Sequence, residues 1–558
     1  MLSAVAQASV GRGLTADPVS LQILWTRLIA IADEAAATLV RTSFSPIVRE
    51  SNDFSCVIFD SEGNAVAENT IGIPSFNMTL SRTLRHLLEW RPMPAWNPGD
   101  VAITNDPWLA SGHLPDTTVL MPVFSGERLL GWTGSTAHMA DIGGSIWSAD
   151  THSVFEEGIR IPPTLLFKKG QSNKELLNFI RANVRLPEQV VGDIMAQVAA
   201  GQVSSNRLLE LGSEIGLDDL DEVSREVCAR SDASMRRAIE AIPDGLYGAG
   251  LDLDGTSEEP IHLEVTIRVE GDEMEVDYAG STDEVSTSVN TVLNYTEAYT
   301  CYPLKCALDP ETPRNEGSYR SIRVTAPVGS ILNPRYPAAV NARQLVGHCL
   351  SAVCYKALSE VIPERIMAES GSTPTLLLVL SGTWPDQRRF TSILFVNGGM
   401  GARYDADGLQ TTSFPSQIAC GSMESIEATA PVRVWRKELI PDSGGPGRFR
   451  GGLGQELELE LLSDCPATLS LLAERVEHPA RGIFGGQPGT RALITLNDKP
   501  GVPVKGRSRM CSGDRLLIRY PGGGGFGDPR ERAPQLLAAD IEAGVVSVGV
   551  AMEVYGAS

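Results

Sequence analysis

The sequence predicts an α+β, multidomain protein: mixed sheets, a helical arm, and a β-rich C-terminal region full of glycine loops. Three observations predict it. Helical and strand-like patterns alternate irregularly over the first 170 residues, and residues 173–240 turn almost continuously helical. The remaining signal comes from the C-terminal part, where short strands run between GGPGRFRGGLG (444–454), FGGQPG (484–489) and YPGGGGFGDP (520–529). A chain of 558 residues is too long for one core. Four parts are expected: an N-terminal α+β domain over 1–170, a helical segment over 171–242, an α+β middle domain over 243–400 and a β-rich domain over 401–558.

In order, DPVSLQILWTRLIAIADEAAATLVRTS (17–43) opens with an N-cap aspartate and a first-turn proline. Leu21, Leu24, Leu28 and Ile31 then recur at helical spacing, which predicts a long amphipathic helix. CVIFDSEGNAVAE (56–68) reads as two strands around a Gly-Asn turn. SFNMTLSRTLRHLLEW (75–90) reads as a helix capped by Ser75. DVAITNDP (100–107), TTVLMPVF (117–124) and RLLGWTGSTAHMA (128–140) are strand-like. Residues 187–216 and 219–242 predict a helical pair or arm. IPDGLYGAGLDLDG (242–255) is a turn-rich boundary. Strands are expected at 260–269, 273–279, 374–381 and 390–396, helices near 294–308 and 341–361, and a short helix near 533–543. The glycine clusters predict β-turns and tight corners.

Composition narrows the function. A net charge of −22 argues against a nucleic-acid partner, because phosphate binding needs a basic face. Nine cysteines include no C-x-x-C pair, so a zinc ribbon is unsupported and reduced, packed thiols are expected. No apolar run reaches the ~18–20 residues of a membrane span. MLSAVAQASVGRGL at the start lacks a signal peptide's apolar core. A cytoplasmic protein without a membrane partner is expected.

Two histidines of only seven stand close together, each with an aspartate three residues on: His113 and Asp116 in SGHLPD (111–116), His138 and Asp141 in AHMADIGG (137–144). Imidazole nitrogen and carboxylate oxygen form a ligand set for zinc, manganese or iron. The bland alternative is a packed histidine and turn-capping aspartates. RESNDFS (49–55) adds two candidate carboxylates, Glu50 and Asp53. Glu50 could equally pair with Arg41 or Arg49. Asp106 in ITNDP could orient a metal-binding histidine, or simply cap a turn. ADIGGS (140–145) has a rival reading as a phosphate loop of an actin-like ATPase, with Asp141 holding magnesium through water. No Walker A motif and no G-x-S-x-G elbow occurs, and Cys56 and Cys420 have no evident histidine partner.

At these residues the chain resembles the hydantoinase B/oxoprolinase family. The resemblance rests on the 17–68 stretch, NDPWLASGHLPDTTVLMPVF, AHMADIGGSIWS, EEGIRIPP (156–163), NVRLPEQVVGDIMAQVAA (183–200), DSGGPGRFRGGLG (442–454) and PGGGGFGDP (521–529). It implies a division of labour. An A-type partner subunit of actin-like fold binds ATP and magnesium and phosphorylates a carbonyl oxygen. The B-type subunit carries a divalent metal ion and completes the reaction on a cyclic amide (a hydantoin, 5-oxoproline or a lactam). A hetero-oligomer follows from the same resemblance. It points to His113, Asp116 and His138 as metal ligands, with Asp53 preferred to Glu50 as the fourth. Glu50 or Asp141 would take the proton from the attacking water. The family often has two adjacent histidines where this chain has His138-Met139. If the second were the ligand, the site would be lost here. Intact HLPD and DIGG argue that it is kept. Two alternatives remain: a subunit of an ATP-dependent ketone carboxylase, and a non-catalytic scaffold for the A-type partner.

Overall fold

The computed structural model describes residues 17–256 and 260–557. The N-terminal segment MLSAVAQASVGRGL lies outside them. The long first helix runs Pro18–Thr42, and the Asp17 side chain accepts the Ser20 backbone N–H as its N-cap. The predicted strand pair is β1 (Phe54–Phe59) and β2 (Ala65–Glu68). The next helix is Pro74–Trp90. Ile73 is its N-cap, and Ser75 sits inside the helix without a capping bond, because Pro74 already occupies the first turn.

Strands β3 (Val101–Thr104), β4 (Asp116–Ser125), β5 (Arg128–His138), β6 (Thr164–Lys168) and β7 (Gln171–Ser172) complete a seven-stranded sheet, ordered β2-β1-β5-β4-β3-β6-β7. Every pairing in it is antiparallel. Both faces are covered, so β1 is buried along its whole length. Period-two alternation sends Val57 and Phe59 against the Pro74–Trp90 helix. Ile58 goes to the opposite face, with Leu24 and Leu28 of the first helix.

The expected helical arm consists of Lys174–Asn183, Pro187–Ile215 and Asp221–Glu240. It does not project. Pro187–Ile215 lies along the first helix and across β4 and β5. Its Leu208 and Leu211 share a core with Leu24 and Val123.

The expected turn-rich boundary at 242–255 is instead a nine-residue strand, β8 (Gly245–Leu253). Ala249, Leu251 and Leu253 alternate inward against β9 (Ile261–Glu270), and that burial outweighs the glycines' turn preference. With β10 (Glu273–Asp277) and β11 (Ile322–Thr325) they form a four-stranded sheet. It packs on the helices Leu293–Leu308 and Leu350–Leu358. Cys349 and Cys354 are buried there as free thiols.

The C-terminal strands are β12 (Leu376–Thr383), β13 (Arg389–Val396), β14 (Val432–Leu439), β15 (Gln455–Leu461), β16 (Ala467–Leu472), β17 (Leu493–Leu496), β18 (Lys505–Met510) and β19 (Arg515–Tyr520). They form two four-stranded sheets, β13-β12-β16-β18 and β14-β15-β19-β17. The sheets share one core that includes Leu378, Leu380, Leu459, Leu469 and Ile518. β12 and β13, from the stretch expected in the middle part, therefore belong to this sandwich. A helix at Pro534–Glu542 follows as expected, and a second at Val548–Glu553 was not anticipated.

The glycine clusters are mostly not turns. They are extended segments laid backbone on backbone: Gly399 N–H donates to Pro521 O, Gly445 N–H to Gly523 O and Gly523 N–H to Gly452 O. A Cβ on Gly399 would stand 1.8 Å from Gly452 O. No helix among the described residues is long and apolar enough to cross a membrane.

The contrast between two glycines tests this packing. Gly399→Ala should cost about 3 kcal/mol or more, since backbone must move. Gly513 sits at φ +81° in open space. Its replacement by Ala carries only backbone strain, about 1–2 kcal/mol. Urea unfolding of both variants checks the difference.

Candidate metal centre

Three separate stretches build the site. The loop between β3 and β4 brings His113. β4 begins at Asp116, which pairs in register with His138, the last residue of β5. β1 starts one residue after Asp53, and His138 N–H donates to Asp53 O at 3.0 Å. Antiparallel register therefore places Asp116, His138 and Asp53 at one end of neighbouring strands. Gly112, at φ +99°, carries the chain across Arg343, whose Cδ would lie 2.8 Å from an added Cβ.

His113 Nε2 and His138 Nδ1 each stand 2.9 Å from the same oxygen, Oδ1 of Asp116. The two ring centroids are 5.2 Å apart. Trp147 stacks on His138 at 4.4 Å and meets His113 edge-on at 5.3 Å. Asp53 Oδ2 is 3.7 Å from His138 Nδ1. All five residues are buried and line one cavity, which Leu377, Phe395 and Ile418 also line. Among the described residues, His113, Asp116 and His138 are the one His/Cys/Asp/Glu group with ligand atoms close enough to share an ion.

Neighbours fix the protonation states. His113 Nδ1 lies 2.9 Å from Asn341 O, and a carbonyl only accepts, so Nδ1 carries the proton. Burial, and then Arg343, pushes the His113 ring down to about 4, so it is neutral at pH 7. Nε2 is then a bare lone pair facing a carboxylate oxygen, with no hydrogen-bond partner. Two acceptors 2.9 Å apart repel unless a cation lies near both, so the donor set fits a divalent metal ion. Burial pushes Asp116 up, yet His113 and Arg343 overcome it and hold the carboxyl well below the usual range. Arg343 Nη2 donates to Asp116 Oδ2 at 2.5 Å and its Nε to Ser111 O at 2.7 Å. Ser111 Oγ donates to Asp116 Oδ2 as well. Burial raises Asp53 to about 7, against the pull of His138.

Behind the imidazoles stands Glu157. Its Oε1 accepts the backbone N–H groups of Val340 and Asn341 at 2.7 and 2.9 Å. The Asn341 carbonyl in turn receives His113 Nδ1–H and Trp147 Nε1–H.

The other candidates lie elsewhere. Glu50 accepts the Ser422 N–H at 3.1 Å and lines a separate surface pocket with Ser45 and Trp384. No ion pair of Glu50 with Arg41 or Arg49 is present among the described residues. Asp141 is outside the cavity too, bound to Arg185 Nη1 at 2.6 Å and to the Gly143 N–H. That also answers the phosphate-loop reading. Gly143 and Gly144 are pressed against the Asn183 O and Gly158 N of their own chain, each 2.5 Å from an added Cβ. Asp106 caps a turn through the Trp108 N–H and does not touch the histidines. Met139 packs in the core, and His138 is the residue of that pair lining the cavity.

Sequence reasoning missed Arg343, Gln344 and His348, which line the cavity, and Asn341, whose carbonyl holds His113. A signal was there: Arg343 is the one charged residue of the run YPAAVNARQLVGHCLSAVCY (336–355), which also carries His348.

The fold and site define a protein that buries an imidazole–carboxylate cluster inside a multidomain α+β frame. Residues 17–529 match the hydantoinase B/oxoprolinase family, and the chain belongs to it. It is 30% identical to the B-type subunit of a putative D-/L-hydantoinase from Pseudomonas sp. (strain NS671), covering 97% of this chain and 95% of that one. The crystal structure of ATP-dependent caprolactamase from Pseudomonas jessenii superposes with a TM-score of 0.89 at 27% identity, over 97% and 96% of the two chains. Nucleotide-free acetone carboxylase shares the fold, with a TM-score of 0.89 at 19% identity, over 97% of this chain and 79% of its own.

This geometry carries two measurable outcomes. In chelator-treated protein, Arg343→Met should cost about 3–5 kcal/mol by urea unfolding, because Asp116 is left buried without its partner. The second concerns Glu157, which burial pushes up to about 8 from its ordinary 4.5. The folded chain therefore holds this proton more tightly than the unfolded one. Its stabilisation is full below pH 4.5 and is lost as pH rises through 8. Between pH 5 and 8.5 the native protein should lose about 1 kcal/mol or more beyond the loss in Glu157→Gln, whose amide does not titrate.

Proposed function

We propose that this chain is the B-type subunit of an ATP-dependent cyclic amide hydrolase, acting with an A-type partner that phosphorylates the carbonyl oxygen. The observation that carries the reading is the sealed His113–Asp116–His138 cluster, in a family whose members are named for hydantoin, lactam and 5-oxoproline substrates. His113, Asp116 and His138 would hold a divalent ion of the zinc, manganese or iron kind. Such an ion, when bound, polarises a carbonyl and makes water more acidic.

The chain's own groups do the rest. Asn341 O keeps the His113 proton on Nδ1 and so aims the Nε2 lone pair at the cluster. Arg343 and Ser111 hold Asp116 ionised and immobile. Trp147 packs against both rings, stacked on His138 and edge-on to His113. Asp53, expected as the fourth ligand, stands beside the three-residue group rather than in it; as the other carboxylate lining the cavity, it accepts the proton of the attacking water at Oδ2. This takes over the role expected of Glu50 or Asp141, both of which lie outside the cavity. The apolar wall limits competing solvent around an activated carbonyl.

The test is elemental analysis of the purified chain, joined to turnover by the chain co-expressed with its A-type partner. Native protein should carry about one divalent ion per chain. It should open hydantoin, 5-oxoproline or caprolactam only with ATP. His113→Ala should lose the ion and at least about 100-fold in turnover while keeping its fold. A product one carboxylate heavier, formed only with bicarbonate, would instead establish a ketone carboxylase. Full activity in a metal-free chain would leave the cluster without a catalytic role.

A further inference from the structure

Opposite the imidazoles, the same cavity holds a polar side chain with nothing to bind. Gln344 is 6% exposed, yet neither its Nε2 nor its Oε1 has a hydrogen-bond partner. His348 Nδ1, beside it in the wall, is also unpaired. An unpaired buried polar group costs about 1–3 kcal/mol, so a carboxamide with both ends free calls for a ligand. Leu377, Phe395 and Ile418 around it offer no polar atoms in their side chains.

We propose that Gln344 reads the N–C=O edge of the cyclic amide, and so selects rings over open-chain amides; this rests on the cyclic amide reading above. In a small ring the amide is forced cis, so its N–H and C=O point the same way. A primary carboxamide presents the same pair in the opposite sense, and two such edges close into a doubly hydrogen-bonded ring. An ordinary peptide amide is trans and offers the two groups on opposite sides. When the partner transfers a phosphoryl group from ATP to the amide oxygen, releasing ADP, the ring N–H proton passes to solvent and the nitrogen becomes an acceptor, for which Gln344 Nε2–H is the donor once the carboxamide turns over. One side chain thus serves both forms without moving its backbone.

That backbone is fixed relative to the metal cluster. Gln344 follows Arg343, whose guanidinium grips Asp116 and lies 4.0 Å over the Tyr295 ring. The short helix Gln344–Gly347 sits tightly on Tyr295, since a Cβ on Gly347 would be 2.5 Å from Tyr295 Cε1. Gln344 is therefore a specificity-determining residue held at a set distance from the imidazoles.

The test uses the full-length chain, zinc-loaded, and two probes: 2-pyrrolidinone and its N-methyl derivative, which lacks the N–H. Binding is read by calorimetry for the native chain and for Gln344→Met, which keeps length and shape without polar atoms. The native chain should prefer 2-pyrrolidinone by roughly tenfold or more, and Gln344→Met should bring the two affinities to within about twofold. Gln344→Met should also melt no lower than the native protein, because it removes unpaired buried groups. A preference that survives in Gln344→Met, no preference in the native chain, or no binding of either probe overturns the assignment. Turnover with the partner is measured separately. Ring opening with an unchanged preference sinks the role of Gln344 alone. A lactam preference abolished by Gln344→Met, without ATP-dependent turnover, sinks the hydrolase reading alone.

Discussion

The buried ion pair between Arg343 and Asp116 is the constraint on which the rest of the molecule turns. Both side chains are almost entirely out of water, so their desolvation is costly. It is offset by direct contact and by hydrogen bonds to both partners. Asp116 accepts from Ser111 and Arg343 and stands 2.9 Å from His138 Nδ1, while Arg343 also reaches Ser111 O and lies over Tyr295. The pair ties the seven-stranded sheet to the helical middle of the chain. It fixes which face of that middle closes the cavity, and it requires a glycine at position 112, where the loop crosses the guanidinium.

The fold was largely legible because its signals are local. The Asp17 cap, the heptad-like leucines of the first helix and the strand pair around Gly63-Asn64 all appear where the sequence places them. What was not legible depends on distant partners. β8 is a strand because β9 lies beside it, although its own residues look like turns. The glycine clusters look like corners in one dimension. In three they are close-packed backbone, and the neighbour that forbids a Cβ lies many residues away.

The candidate site divides along the same line. Its histidines and Asp116 stand out by rarity and spacing, and antiparallel register does converge them. Asp53 is preferred to Glu50 on resemblance alone, because three residues of loop decide which carboxylate lines the cavity, and their spacing carries no such signal. Asp141 looked equivalent to Asp116, yet Arg185, an unremarkable residue after a helix, claims it. The opposite wall carries no motif. Arg343, Gln344 and His348 are conspicuous only as polar interruptions in an apolar run. Acetone carboxylase shares this frame at 19% identity, and a shared fold does not by itself fix a chemistry.

The separation along the chain between Asp116 and Arg343, 227 residues, has a consequence for biosynthesis. At ribosomal speeds of about 5–20 residues per second, the aspartate leaves the tunnel roughly 10–45 s before the guanidinium that balances it. During that interval the partners Asp116 has in the finished fold from its own part of the chain are Ser111, His113 and His138, and the guanidinium arrives last.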